Sequence, residues 1–190
     1  MGCTIIGCGK ALPALEVEND ELAKLVDTND EWIVTRTGIS SRHVAVGETG
    51  TDLAETAARA ALGWSQEGWC ERSLAPEDID LVIVATITPD ALVPSAAGLL
   101  RERLGLKHAI AFDLNAACTG FIYGLTVAES MMAACAPGCP GAAGRNPVRR
   151  ALVVGDERLT HITDWADRST CVLFGDGAGA VVLKASDKPG

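Results

Sequence analysis

The segment AFDLNAACTGFIYGL, residues 111–125, holds the side chain best suited to covalent chemistry, Cys118. The apolar run up to Leu114 reads as a strand, and the small and apolar residues from Thr119 onward read as a helix, so Cys118 falls at the turn between them. At a helix start the first backbone N–H groups lack partners and the helix dipole favours negative charge. A thiol placed there is favoured as thiolate, the form that attacks a carbonyl carbon. The same position also suits packing, because free cysteine is among the most buried residue types. Position alone leaves both roles open.

A second constellation is Trp32 with Arg36 in DEWIVTRT, whose spacing of four puts an indole and a guanidinium on one helix face. Such a pair serves either as surface packing or as a stacking and anion-binding platform. Three other motifs lose their chemical reading. Cys135 and Cys139 in CAPGC have no second ligand pair and read as loop, so no metal site is expected. The glycines of FGDGAGA, Phe174 to Ala180, lead into VVLKA, a strand, whereas a dinucleotide-binding loop opens a helix. His43, His108 and His161 stand in no context recognisable for a catalytic base, and His161 in LTHITDW reads as an exposed loop residue.

The elements that must position these residues follow from periodicity and punctuation. CTIIGCG reads as a first strand. Asn19 is expected to cap a helix carrying Leu22, Leu25 and Val26, and Asn29 a second one stopped by Gly38. Thr51 and Gly63 are the expected cap and stop of TDLAETAARAALG, and WSQEGWCERSLAPED is expected to be a surface connection. IDLVIVATI is a continuous β-branched run, the pattern of a strand covered on both faces. Pro94 is expected to open the helix PSAAGLLRERLG. AIAFDL, RALVVGD and GAVVLKA read as further strands, and APGCPGAAGRNP as a loop. Gly120 and Gly124 predict close approach of another helix, with Phe121, Ile122, Leu125, Ala128 and Met132 buried. Strands alternating with helices imply an α/β layer around a mostly parallel sheet.

The 190 residues, 48% hydrophobic, suffice for one core, and residues 1–190 are expected to form one domain. With 16 Lys and Arg against 25 Asp and Glu, the net charge of -9 argues against nucleic-acid binding. GCTIIGCGK after Met1 is no signal peptide, and Glu129 interrupts the longest apolar run, so no membrane association and a cytoplasmic location are expected. Seven scattered cysteines read as reduced thiols.

DTNDEWIVTRTGISSRH, FDLNAACTGFIYGL, ALVVGDE and DRSTCVLFGDGAGAVVL, in this order from residue 27 to residue 183, resemble the 3-oxoacyl-[acyl-carrier-protein] synthase III family, condensing enzymes that initiate bacterial fatty acid synthesis. The resemblance implies one half of a thiolase-like fold, an α/β unit with a five-stranded mixed, mostly parallel sheet covered by helices. It makes Cys118 the nucleophile that takes an acyl group from a short acyl-CoA, before a malonyl group on acyl carrier protein is decarboxylated and condensed with it. It makes Thr28, Trp32, Arg36 and Arg168 the coenzyme A contacts, and Phe174 and Val93 the lining of the acyl pocket. No resident cofactor is implied, because acyl-CoA enters as substrate. Ser169 stands where the family has glycine. Val93 stands where it commonly has a phenylalanine that reaches across a homodimer, which suggests a pocket for longer or branched acyl groups. The resemblance also implies a C-terminal half carrying a catalytic histidine and asparagine and the carrier-protein docking surface, so these residues alone are expected to accept the acyl group at most, the alternative being a non-catalytic dimerisation half or scaffold. It implies a homodimer paired through GAVVLKA.

Overall fold

The computed structural model describes residues 2–134 and 147–186. The strands are β1 (Gly2–Ala11), β2 (Leu15–Glu18), β3 (Ser41–Val44), β4 (Gly68–Cys70), β5 (Leu81–Ala85), β6 (Ile110–Leu114), β7 (Arg150–Arg158) and β8 (Asp176–Ser186). The helices are α1 (Asn19–Leu22), α2 (Asp30–Thr37), α3 (Gly50–Ala61), α4 (Ala96–Arg103) and α5 (Gly120–Ala134). Among these residues no helix is long and apolar enough to cross a membrane. The segment containing Cys135 and Cys139 and the loop expected around them lie outside the described residues.

The main sheet has the order β4-β1-β8-β7-β5-β6, and β2 pairs with β3 in a separate two-stranded ribbon. Every residue of β5 is buried, as the uninterrupted apolar run requires, because helices cover both its faces. On one face, α3 and α4 bury Leu53, Ala57, Ala61 and Leu100 against Val82, Val84, Leu152 and Val182. On the other, α5 sets Ala128 and Met132 against Ile83, Val153 and Leu183. Each fully buried Leu or Val side chain contributes about 1.5–3 kcal/mol to holding these layers together.

The α/β class and the mixed sheet are as expected, but the strand count and the balance of pairings differ. A sixth strand, β4, forms within the presumed connection by pairing with β1, Cys8 opposite Trp69. Only β7-β5 and β5-β6 are parallel, while β4-β1, β1-β8 and β8-β7 are antiparallel. Strand β8 follows β7 without an intervening helix long enough to cross the sheet, so it returns antiparallel. It lies between β1 and β7 with its hydrogen bonds taken on both sides, which removes GAVVLKA as an edge for a second chain. The open edge near the chemistry is β6, where Ile110 is half exposed.

Helix boundaries show which groups compete for the free N–H donors. Asn29 caps α2 as expected, accepting from Trp32 N at 2.8 Å, and Gly38 ends it at φ 75°, a conformation costly for side chains bearing Cβ. Thr49, not Thr51, caps α3 in a reciprocal box with Asp52, because Thr51 is buried and bonded to Asp90. Helix α4 opens at Ala96 and not at Pro94, with Ser95 as its cap accepting from Gly98 N at 3.1 Å. Asn19 is the first residue of a helix that ends at Leu22. Its buried amide donates to Asp30 and Ile39 and accepts from Arg42, and Leu25 is left exposed.

Close packing explains two glycine pairs. A Cβ on Gly7 or Gly9 would fall 2.1 Å from Ala61 O or 2.3 Å from Ala57 O, so β1 and the alanine face of α3 need both glycines. Gly120 and Gly124 face Ala85 and Val153, so α5 closes on the sheet and not on another helix. Its outer residues Ile122 and Tyr123 are exposed as a consequence.

Asp156, only 2% exposed beneath the start of α3, has an Oδ1 with no hydrogen-bond partner. Burial pushes its pKa up to about 8, with Asp90, Glu157 and Asp176 adding repulsion and Arg158 opposing it. The native state then holds a proton that the unfolded chain releases near its ordinary pKa of about 3.9, so stability falls as pH rises between the two values. In thermal melts from pH 4 to pH 8.5, Asp156→Asn should gain steadily on wild type as pH rises. A gap that stays constant over that range would contradict a buried neutral carboxyl.

Candidate active site

Strand β6 delivers the chain to residues 115–119, where Ala117–Thr119 form a single 3-10 turn that runs into α5. Ala117 has φ 47°, the left-handed region that costs a non-glycine residue energy, so the turn carries backbone strain directly before Cys118. Thr119 N and its hydroxyl both return to Ala116 O, at 3.2 and 2.8 Å, which tightens the turn. Cys118 is exposed, so the packing role is excluded for the described residues and its sulfur is open to a reagent. No side chain caps this turn. Within it the N–H groups of Thr119 and Gly120 are taken up by Ala116 O and Ala117 O.

The second cluster assembles around Trp32. The Arg36 Cζ lies 4.4 Å from the indole centroid and the Arg168 Cζ 4.5 Å, both within cation–π range. Arg36 comes from the same helix, as the spacing requires. Arg168 comes from a remote segment, brought close because Cys171 and Val172 bury beside Ile33 and Leu22 in one apolar cluster that Trp32 also joins. Arg168 Nη1 donates to Asp27 O at 2.7 Å, with the Asp27 carboxylate 3.7 Å away. Next to Asp27, the buried Oγ1 of Thr28 has no hydrogen-bond partner, an unmet polar group.

Ser169 has an observable consequence. Its N–H and hydroxyl both donate to the Asp167 carboxylate, at 2.9 and 2.7 Å, and Thr170 Oγ1 adds a bond of 2.8 Å. The Ser169 side-chain bond, then its backbone bond and that from Thr170, hold the Asp167 carboxyl below its usual range. The serine thus stiffens the turn that carries Arg168.

The remaining sequence candidates stand on other elements. Phe174 is half-buried two residues before β8. Val93 is 87% exposed and precedes α4 through a cis bond to Pro94, and its neighbour Leu92 is 91% exposed. His161 is exposed, at the end of a 3-10 turn. Sequence reasoning missed the acidic residues that hold this end of the sheet. Glu157 accepts from Ile87 N and Thr88 Oγ1, Asp90 from Gly50 N and both donors of Thr51, and Asp113 from Ala96 N and Ala97 N. No local pattern marks them, since each partner is distant in sequence.

Comparison with known proteins places this geometry in context. Residues 112–190 match the sequence profile of the family described as 3-Oxoacyl-[acyl-carrier-protein (ACP)] synthase III. Beta-ketoacyl-[acyl-carrier-protein] synthase III of Rhodospirillum centenum is 47% identical over 98% of this chain and 52% of its own length. That of Alkalilimnicola ehrlichii is 52% identical over 98% and 53% respectively. The crystal structure of 3-oxoacyl-[acyl-carrier-protein] synthase III from Aquifex aeolicus superposes with a TM-score of 0.86 at 46% identity, covering 98% of this chain and 55% of that one. The chain thus spans about half the length of the curated relatives it matches.

Exposure orders the thiols. In brief alkylation of the native chain read by peptide mass mapping, Cys118 and Cys8, both exposed, should label while the buried Cys171 stays free. Labelling of Cys171 at the rate of Cys118 would contradict the placement of the turn.

Proposed function

This chain is a relative of the 3-oxoacyl-[acyl-carrier-protein] synthase III enzymes, and from that kinship we propose that it supplies the acyl-accepting and coenzyme-binding part of an initiating condensing enzyme. Cys118 attacks the thioester of a short acyl-CoA, a C–S bond forms at the acyl carbon, and coenzyme A leaves as its thiol after taking a proton. The backbone N–H of Cys118 stabilises the tetrahedral oxyanion; one such donor contributes about 3 kcal/mol in well-studied cases. The observation that carries this reading is the exposed Cys118 on an uncapped, strained turn at the mouth of an apolar helix.

In the same reading Trp32 stacks with the adenine of coenzyme A, Arg36 meets its phosphates, Arg168 closes the other side, and Thr28 contributes its unpaired hydroxyl. Two van der Waals layers of about 3.5 Å each put roughly 7 Å between indole and guanidinium when a ring lies between them. The observed 4.5 Å leaves no such space, so Arg168 must swing away from Trp32 as the nucleotide enters. Phe174 and Val93 line the acyl pocket, and valine in place of a larger side chain admits longer or branched acyl groups. Acyl-CoA is a substrate here, and no resident cofactor is part of the proposal. Condensation with malonyl-acyl carrier protein completes the cycle with a histidine and an asparagine from the part of the relatives' length that this chain does not span. A second copy adds along the open edge of β6, and the enzyme acts in the cytoplasm.

Intact mass after incubation with acetyl-CoA provides the test. One acetyl adduct is expected, mapped to Cys118 and lost in Cys118→Ala, and its yield should drop at least about tenfold in Trp32→Ala at limiting acetyl-CoA. An unmodified wild-type chain, or an adduct that survives Cys118→Ala, would overturn the assignment.

A further inference from the structure

Val93 and Cys118 stand on different loops, yet one side chain connects the elements that carry them. Asp113 lies on β6, two residues before the chain leaves the sheet for the Cys118 turn. Its neighbours Phe112 and Leu114 pack toward α5, so Asp113 points to the opposite face. There its two carboxylate oxygens accept separately from the first two N–H groups of α4, Ala97 N on Oδ1 at 2.7 Å and Ala96 N on Oδ2 at 2.8 Å. Both bonds are charge-assisted and act on the positive end of a helix. Val93 lies three residues before Ala96, so the loop tip and the nucleophile strand are fastened together through this carboxylate.

The rest of that loop is fixed as well. Glu157 holds Ile87 and Thr88 at its root, Thr86 N donates to Leu114 O at 3.2 Å, and Asp90 ties its middle to the start of α3. Leu92 and Val93 nonetheless project almost wholly into solvent. An aliphatic tip with no packing of its own takes its position from its tethers, and on the α4 side, three residues from Val93, the tether to β6 is Asp113.

We propose that Asp113 is a positioning residue for acyl-chain selection, holding the Val93 loop at a set offset from the strand that leads into Cys118 and from the sheet edge that strand forms. The proposal rests on the acyl-transfer reading above and adds that selectivity resides in this tether as well as in the volume of residue 93. Asn in place of Asp113 has one carbonyl acceptor for two N–H groups and turns an amide donor toward the other, so the start of α4 and the loop before it come loose.

The test measures, by intact mass, the ratio of Cys118 acylation by acetyl-CoA to that by a branched acyl-CoA, isobutyryl-CoA, in the full chain. Asp113→Asn should move this ratio toward one by roughly fivefold while the alkylation rate of Cys118 by iodoacetamide stays unchanged. Ser95→Ala, which removes a cap from the same helix without touching the link to β6, should leave the ratio as in wild type. If Asp113→Asn does not fold, Asp113→Glu keeps the carboxylate on the helix end but lengthens the tether by one methylene, and should shift the ratio likewise. An unchanged ratio in the folded variant, or an equal change in Ser95→Ala, overturns the proposal. Absence of any acyl adduct on wild type overturns the acyl-transfer reading itself, and this inference with it.

Discussion

The backbone N–H groups at helix starts need acceptors, and the way they find them organises the end of the sheet where Cys118 lies. Asp90 accepts from Gly50 and Thr51 at the start of α3, Asp113 from Ala96 and Ala97 at the start of α4, and Asn29 from Trp32 at the start of α2. A neutral cap of this kind contributes about 1 kcal/mol, and hydrogen bonds to charged acceptors about 1.5–3 kcal/mol. Because Asp90 and Asp113 reach across from other elements, the same bonds that stabilise helices also lock loops to strands. The turn before α5 has no side-chain cap, and that is where the thiol stands.

Close approach of the layers sets the second constraint. Small residues on β1, α3 and α5 let helices settle on the sheet at distances that a Cβ would forbid at Gly7 and Gly9. With α5 seated on Ile83 and Val153, its first turn emerges at the rim of the sheet, so Cys118 is presented and not enclosed. Ala117 adopts its strained φ at that junction, where the tight turn and the seated helix leave little freedom.

Electrostatics at the Trp32 cluster follow a different logic. Two guanidinium groups approach one indole, which attracts each through its ring quadrupole while they repel one another. Asp27, 141 residues from Arg168 in sequence, offsets part of that repulsion through its carbonyl and its carboxylate. An exposed carboxylate contributes little alone, so the buried contacts of Cys171 and Val172 beneath the turn do most to keep Arg168 in place.

Local pattern was enough to read the apolar strands β5, β6 and β7, the helix α2 from Asn29 to Gly38, and the pairing of Trp32 with Arg36, because period, cap and stop all lie within a few residues of one another. The turn at Cys118 was legible for the same reason. Strand β4, the interior place of β8, the diversion of Thr51 from capping α3, and the seating of α5 on the sheet were decided only by tertiary structure. Each depends on a partner from elsewhere in the chain: β1 for β4, β1 and β7 for β8, Asp90 for Thr51, Ala85 and Val153 for the α5 glycines. A hydrogen bond that Asp113 accepts from a helix sixteen residues upstream leaves no periodic trace in sequence, since one carboxylate on a strand looks like any other until the fold brings donors to it.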